Sequence, residues 1–190
     1  AGVMPCADCA GVAQTLTLRA DGLYRLRRTY LDKPDGPFAE LGRWRVGERG
    51  RRLILRSGSE ILLFEVKDHA TLRLLDRLGQ PIISKGNPDL RRIAQVDPVS
   101  EPLRWHGEFR YLADAATFTD CASGLRWPVA MTADYLTMER HYLKSRSAPT
   151  KSLLVSFEGR LEVRPSMEGS PREQMVVDRF GGSQPGATCT

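Results

Sequence analysis

Long apolar runs are missing from this 190-residue chain. The best candidates, Ile61 to Phe64 and Leu153 to Val155, fall far short of the roughly 18 residues a membrane-crossing helix needs, so no helical bilayer span is expected. At Ala1 there is neither a basic n-region nor an apolar h-region, so an export signal has been removed or was never there. Histidine is scarce: His69, His106 and His141 are lone and scattered, whereas structural zinc wants about four converging ligands. The G-x-S-x-G elbow, H-E-x-x-H and the P-loop are all absent. Asp114, in the run LADAATF, reads as a turn or strand-end residue rather than a catalytic acid, and the chain reads as a non-enzyme.

Lysine is also rare, with 5 residues against 23 arginines, a bias that reflects genome composition more often than phosphate recognition. The net charge of +5 sits in the first half: residues 1 to 100 carry 17 basic and 12 acidic side chains, residues 101 to 190 carry 11 of each. In Arg25 to Arg28, Trp44 to Arg45 and Arg49 to Arg52 the arginines fall between apolar residues, as on the solvent face of strands. A nucleic-acid stripe is therefore not expected.

What the chain does have is a composition able to build a core, 41% hydrophobic and 27% charged, at a length that suits two domains of about 90 to 100 residues. Period-2 alternation runs through the first half: Leu16 and Leu18, a turn at Asp21-Gly22, Tyr24 and Leu26, Trp44 and Val46, Leu53 and Leu55, Leu62, Phe64 and Val66, Leu72 and Leu74. Such spacing predicts consecutive antiparallel strands in a barrel or sandwich. Strict alternation puts Arg28 on the face of Leu26 and Tyr30, so either a bulge intervenes or Arg28 points into the barrel mouth; the cost of an unpaired buried arginine favours the bulge.

The short segment Pro98 to Pro102 (PVSEP) marks the expected boundary, giving domains 1 to 98 and 101 to 190. Beyond it, strands are predicted at Arg104 to Leu112, Ala116 to Thr119, Leu125 to Ala130, Leu153 to Val163 and Gln174 to Phe180. A helix over 133–145 follows from Tyr135, Met138 and Tyr142 at helical spacing and Leu136 and Leu143 seven apart, with Thr132 as its cap. Five strands with a helix between the third and fourth is the order of the OB-fold, a small Greek-key barrel. OB barrels can bind nucleic acid on aromatic platforms, and Trp105, Phe109, Tyr111 and Trp127 could supply rings; with 11 bases and 11 acids in this half, core packing explains them better.

Four cysteines occupy two situations. Cys189 lies in a Gly/Pro-rich tail where it has no packing reason to be, and a bridge to Cys121 supplies one; closing 68 residues stabilises by roughly 4 kcal/mol in the loop-entropy model. An oxidising compartment, periplasm or cell surface, follows from that bridge. Cys6 and Cys9 form Cys-x-x-Cys, but this all-β half offers no helix N-terminus to activate a thioredoxin-like thiol. A local disulfide or idle thiols is the first expectation. Copper(I) is the second, because Met4, Cys6 and Cys9 place three soft sulfurs within a few residues.

The run MPCADCAGV, followed by LTLRADGLYRLRRTYL, GRWRV and LRLLDRLGQPI, resembles the N-terminal domain of the NlpE-like lipoprotein family of Gram-negative bacteria. The second half resembles that family's C-terminal domain through WHGEFRYLADAATFTDCASGLRWPVA, the Tyr135 to Tyr142 helix and the late Gly-Ala-Thr-Cys. The resemblance implies a lipocalin-like N-terminal β-barrel and a C-terminal OB-fold, and a lipid-anchored outer-membrane protein whose modified cysteine precedes Ala1. It further implies sensing of surface contact or envelope stress, with output through an envelope sensor kinase or other periplasmic protein to the Cpx system, or a role in copper tolerance. One departure is Met4, where members of the family usually have Leu.

Overall fold

The computed structural model describes residues 1–34, 36–83, 86–95, 102–166 and 169–189. Residues 98–101 of the expected PVSEP boundary lie outside that set. The chain divides into two compact units, Ala1–Pro98 and Val99–Thr190.

In the first unit the alternation becomes eight antiparallel strands: β1 (Gly2–Met4), β2 (Val12–Leu18), β3 (Leu23–Tyr30), β4 (Phe38–Gly47), β5 (Arg52–Ser57), β6 (Glu60–Asp68), β7 (Thr71–Leu74) and β8 (Asp89–Arg91). They pair in chain order, the up-and-down arrangement that a series of hairpins dictates. The Asp21-Gly22 turn works as its residue types require: Gly22 takes φ +83°, and the Asp21 carboxylate accepts the Leu23 amide at 3.0 Å. The Arg91 amide donates to the Ala1 carbonyl at 2.9 Å, so the sheet curls almost completely into a lipocalin-like barrel. Only glycine fits the seam at position 2, where a Cβ would stand 2.5 Å from the Asp89 carbonyl oxygen.

Alternate side chains fill the barrel: Met4, Val12, Tyr24, Leu26, Leu53, Leu55, Phe64 and Leu90 form its buried core. Truncating a fully buried ring such as Phe64 to alanine costs about 3–5 kcal/mol. Two arginines depart from expectation. No bulge interrupts β3, whose register with β2 and β4 is continuous, so Arg28 stays on the inner face with Tyr24 and Leu26. Its cost is met by Glu40, whose carboxylate accepts Arg28 Nη1 at 2.6 Å. Arg25, on the outer face between Thr17 and Leu41, is buried rather than solvated.

The second unit comprises β9 (Leu103–Leu112), β10 (Ala115–Asp120), β11 (Arg126–Pro128), α1 (Tyr135–Ser145), β12 (Leu153–Arg164) and β13 (Arg172–Gln184). The sheet order is β11-β10-β9-β12-β13. A parallel bridge between Val129 and Met175, with the Ala130 amide donating to the Met175 carbonyl at 2.8 Å, joins the two edges into an OB barrel. Ala113 and Asp114 take φ +49° and +59° in the two-residue turn between β9 and β10, the paired positive φ of a type I′ hairpin. Trp105 meets Phe118 and Trp127 edge-to-face, Phe118 meets Phe157 in the same way, and Phe109 meets Tyr142 of the helix.

Helix α1 buries Tyr135, Met138 and Tyr142, while Leu136 and Leu143 point outward. A heptad pair is apolar at both ends but lies off the stripe that the 3-and-4 spacing defines. Asp134, not Thr132, stands at the N-cap position, without a side-chain capping bond to the helix, and Thr132 contributes its carbonyl to the Tyr135 amide. The Asp134 carboxylate accepts the Phe180 amide of β13 at 2.7 Å, so one residue both starts the helix and docks it. The Tyr142 hydroxyl donates to the Lys151 carbonyl at 2.8 Å, fastening the other end.

Candidate functional site

Residues 5–11 carry the chain from β1 to β2 at one end of the first barrel, and there Cys6 and Cys9 are joined by a disulfide. The loop contains no helix. Cys6 Sγ lies 3.4 Å from Asp8 Oδ1, and the potential ligand atoms of Cys6, Asp8 and Cys9 all lie within 4.8 Å of one another. Asp8 is the member of this group that sequence reasoning missed; a carboxylate inside Cys-x-x-Cys was the available signal. Lys33 Nζ stands 3.4 Å from Asp8, and Asp32 accepts the Ala10 amide at 3.0 Å, so the neighbouring β3–β4 loop holds the site from outside.

Met4 is placed differently. It is almost wholly buried, on β1 opposite Val12, and belongs to the barrel core against which Cys6 and Cys9 pack from the loop. As a disulfide the two cysteines present no thiolate to a metal; once reduced, they offer the soft donors that suit copper(I), with Asp8 adjacent.

Cys121 and Cys189 are bonded across 68 residues. The turn that presents Cys121 is rigid for a local reason: Asp120 accepts both the Ser123 amide at 2.8 Å and its hydroxyl at 2.7 Å, while the Cys121 amide donates to the His106 carbonyl. Burial pushes the Asp120 carboxyl up from its ordinary value, against the lowering effect of those Ser123 bonds.

None of the three histidines joins a metal-capable group among the described residues. His106 Nδ1 pairs with the Ser156 hydroxyl at 2.9 Å, and His141 rests against the Phe180 ring with centroids 5.0 Å apart. Asp114 lies in the β9–β10 turn and accepts the Tyr111 hydroxyl at 3.0 Å. Trp105, Phe109 and Trp127 are buried.

Within the first barrel the sequence concealed two charged clusters. Glu40 bridges Arg28 and Tyr24, accepting the Tyr24 hydroxyl at 2.8 Å; burial first, then the Glu40 carboxylate, raise the Tyr24 phenol above its ordinary range. On the outer face, Asp89 is almost fully buried and accepts Arg73 through both oxygens, at 2.7 and 3.1 Å, with Lys67 at 3.5 Å. The Arg73 hydrogen bonds hold its carboxyl below the usual carboxylate value.

Both halves match known domain families: residues 1–85 the NlpE N-terminal domain, and residues 99–190 the NlpE C-terminal OB domain. The lipoprotein NlpE of Escherichia coli (strain K12) is 38% identical over 194 residues, covering 100% of this chain and 79% of that protein. The crystal structure of the Cpx pathway activator NlpE from Escherichia coli, also 38% identical, covers 99% of this chain and 95% of its own, with a TM-score of 0.44. That of a lipoprotein from Shewanella oneidensis is 31% identical and covers 50% of this chain and 85% of its own, with a TM-score of 0.43. With one domain model on each half and that identity along the entire length, the chain belongs to the NlpE lipoprotein family.

Proposed function

We propose that this chain is a lipid-anchored protein of the Gram-negative outer membrane that senses surface contact or envelope stress and passes the signal to the Cpx system by protein contact. The observation that carries the reading is the 38% identity, running the whole length of the chain, to the Escherichia coli lipoprotein. The Cys6–Cys9 and Cys121–Cys189 disulfides suit an oxidising compartment such as the periplasm. The anchor is a lipidated cysteine upstream of Ala1, and the partner is an envelope sensor kinase or another periplasmic protein.

The test is expression behind a lipoprotein leader in Escherichia coli cells that lack their own NlpE and carry a Cpx-responsive reporter. Overproduction and attachment to glass are expected to raise reporter output severalfold, and a leaderless version to leave it flat. A flat response of the anchored protein, in cells that still answer to the Escherichia coli protein, overturns the reading.

A second reading is copper tolerance through copper(I) bound by the reduced loop, favoured by the convergence of Cys6, Asp8 and Cys9. In it, Met4 is an optional third ligand whose thioether has to leave the barrel core. The disulfide competes with the metal, so binding is gated by reduction.

A further inference from the structure

The interior of the first barrel is not filled uniformly. Toward the end that carries the Cys6–Cys9 loop stands the hydrogen-bonded group of Tyr24, Glu40 and Arg28. At the opposite end, where the β2–β3, β4–β5 and β6–β7 turns gather with Ala1 and the outgoing end of β8, there is a cavity of about 510 Å³. This volume is in the range of small-molecule sites.

Its wall is apolar and comes from nearly every strand: Leu16, Trp44, Leu53, Val66, Leu72 and Leu90. The lip is apolar as well. Leu18, Val46 and Ile93 line the opening and are 38%, 50% and 48% exposed, so three aliphatic side chains stand in water around an apolar hole. Polar groups of one dominant sign sit outside that ring. Arg91 and Arg92 both line the rim, and among the described residues no carboxylate pairs with either guanidinium. His69 stands beside them, and the carboxylate of the rim, Asp68, is turned to its own backbone, accepting the Ala70 amide at 2.7 Å.

We propose that this cavity is a binding site for a single-chain anionic amphiphile, the acyl chain entering the barrel past Leu18, Val46 and Ile93 and the acidic head resting on Arg91 and Arg92. The division of labour follows from the chemistry. An aliphatic tail gains by leaving water along its whole length, and the guanidinium fork matches either a carboxylate or a phosphate at the mouth. The site is a property of the barrel alone and stands independently of the signalling reading.

The full chain is titrated with palmitate, with lysophosphatidylglycerol and with uncharged hexadecanol, each below its aggregation concentration. One equivalent of palmitate or lysophosphatidylglycerol is expected to bind saturably, and the tighter of the two names the carboxylate or the phosphate as the natural head. Hexadecanol is expected to bind at least about tenfold more weakly. Val46→Trp, a change at a half-exposed position that fills the throat without touching the core, is expected to weaken palmitate roughly tenfold, as the loss of about two buried methylenes would. Arg91→Glu/Arg92→Glu is expected to weaken palmitate but not hexadecanol. Leu78→Glu, exposed and remote from the cavity, serves as the control.

Location is read separately. A bromine-labelled fatty acid is expected to quench Trp44, and the quenching to vanish in Trp44→Phe. Absence of saturable binding by the wild-type chain overturns the proposal. So does equal affinity in the wild type and both variants, or quenching that persists without Trp44.

Discussion

Arg28 and Glu40 face each other inside the N-terminal barrel at 2.6 Å, on adjacent antiparallel strands and with most of both side chains withdrawn from water. The second oxygen of the same carboxylate holds Tyr24. Removing Glu40 therefore strands two groups at once. Glu40→Ala is expected to cost about 1–3 kcal/mol and to lower the barrel's calorimetric transition by roughly 5–15 °C. Arg28→Met/Glu40→Leu, which removes both charges, is expected to recover most of that loss. A double variant as unstable as the sum of its singles would show that the two residues do not interact.

The Cys121–Cys189 bond predicts that denatured, unreduced protein takes up no alkylating label at either position, read by intact mass and peptide mapping. Cys189→Ser is expected to destabilise the OB domain by up to about 4 kcal/mol while leaving the barrel transition unchanged. Full labelling of both thiols without reductant would contradict the bond.

Asp89 makes the barrel sensitive to acid. Its folded-state carboxyl, held down by Arg73 and then Lys67, titrates below the unfolded value of 3.8. The stability this provides is present above the unfolded value and is lost as pH falls through the lower, folded one. Urea midpoints of the wild type are thus expected to decline as pH falls below the unfolded value of 3.8 more steeply than those of Asp89→Asn, which has nothing there to protonate. Parallel declines would assign acid unfolding to other carboxylates.

Reduced protein is expected to take one copper(I) in competition with a colorimetric chelator. Cys6→Ser/Cys9→Ser should abolish uptake, and Met4→Leu should leave it unchanged, because Met4 serves the core. Oxidised protein should take up none. Equal uptake by the wild type and the double serine variant would end the copper reading.

We further propose that the halves 1–98 and 101–190 fold on their own. Separate expression is expected to give well-dispersed amide spectra for each, and collapsed dispersion for both would count against the boundary.

The strands were legible because barrel walls demand strict alternation, and Leu16, Leu26, Leu55 and Phe64 all keep to it. Tyr135, Met138 and Tyr142 marked the buried stripe of the helix for the same reason. β1 and β8 escaped notice because three residues are too few to show a period. Arg28 was misjudged because its partner, Glu40, lies on another strand and nothing local announces it. Thr132 lost the N-cap position to Asp134 because docking against β13 decided where the helix starts. Of the candidate site, the Cys121–Cys189 pairing was expected from the sequence, Cys6 and Cys9 were left open between a disulfide, idle thiols and copper(I), and the cavity did not show at all. Its lining is drawn from most of the strands and exists only once the barrel closes.

Cys189 also changes how the second domain would meet mechanical force. A pull applied beyond residue 189 does not peel β13 from β12 one hydrogen-bonded pair at a time, because the load crosses the covalent bridge and enters at Cys121, in the turn after β10. There the Asp120–Ser123 bonds and the Cys121 amide brace the point of attachment. Tension on the tail is thus delivered into the β10 side of the barrel, and only after reduction does the last strand become the one that yields first.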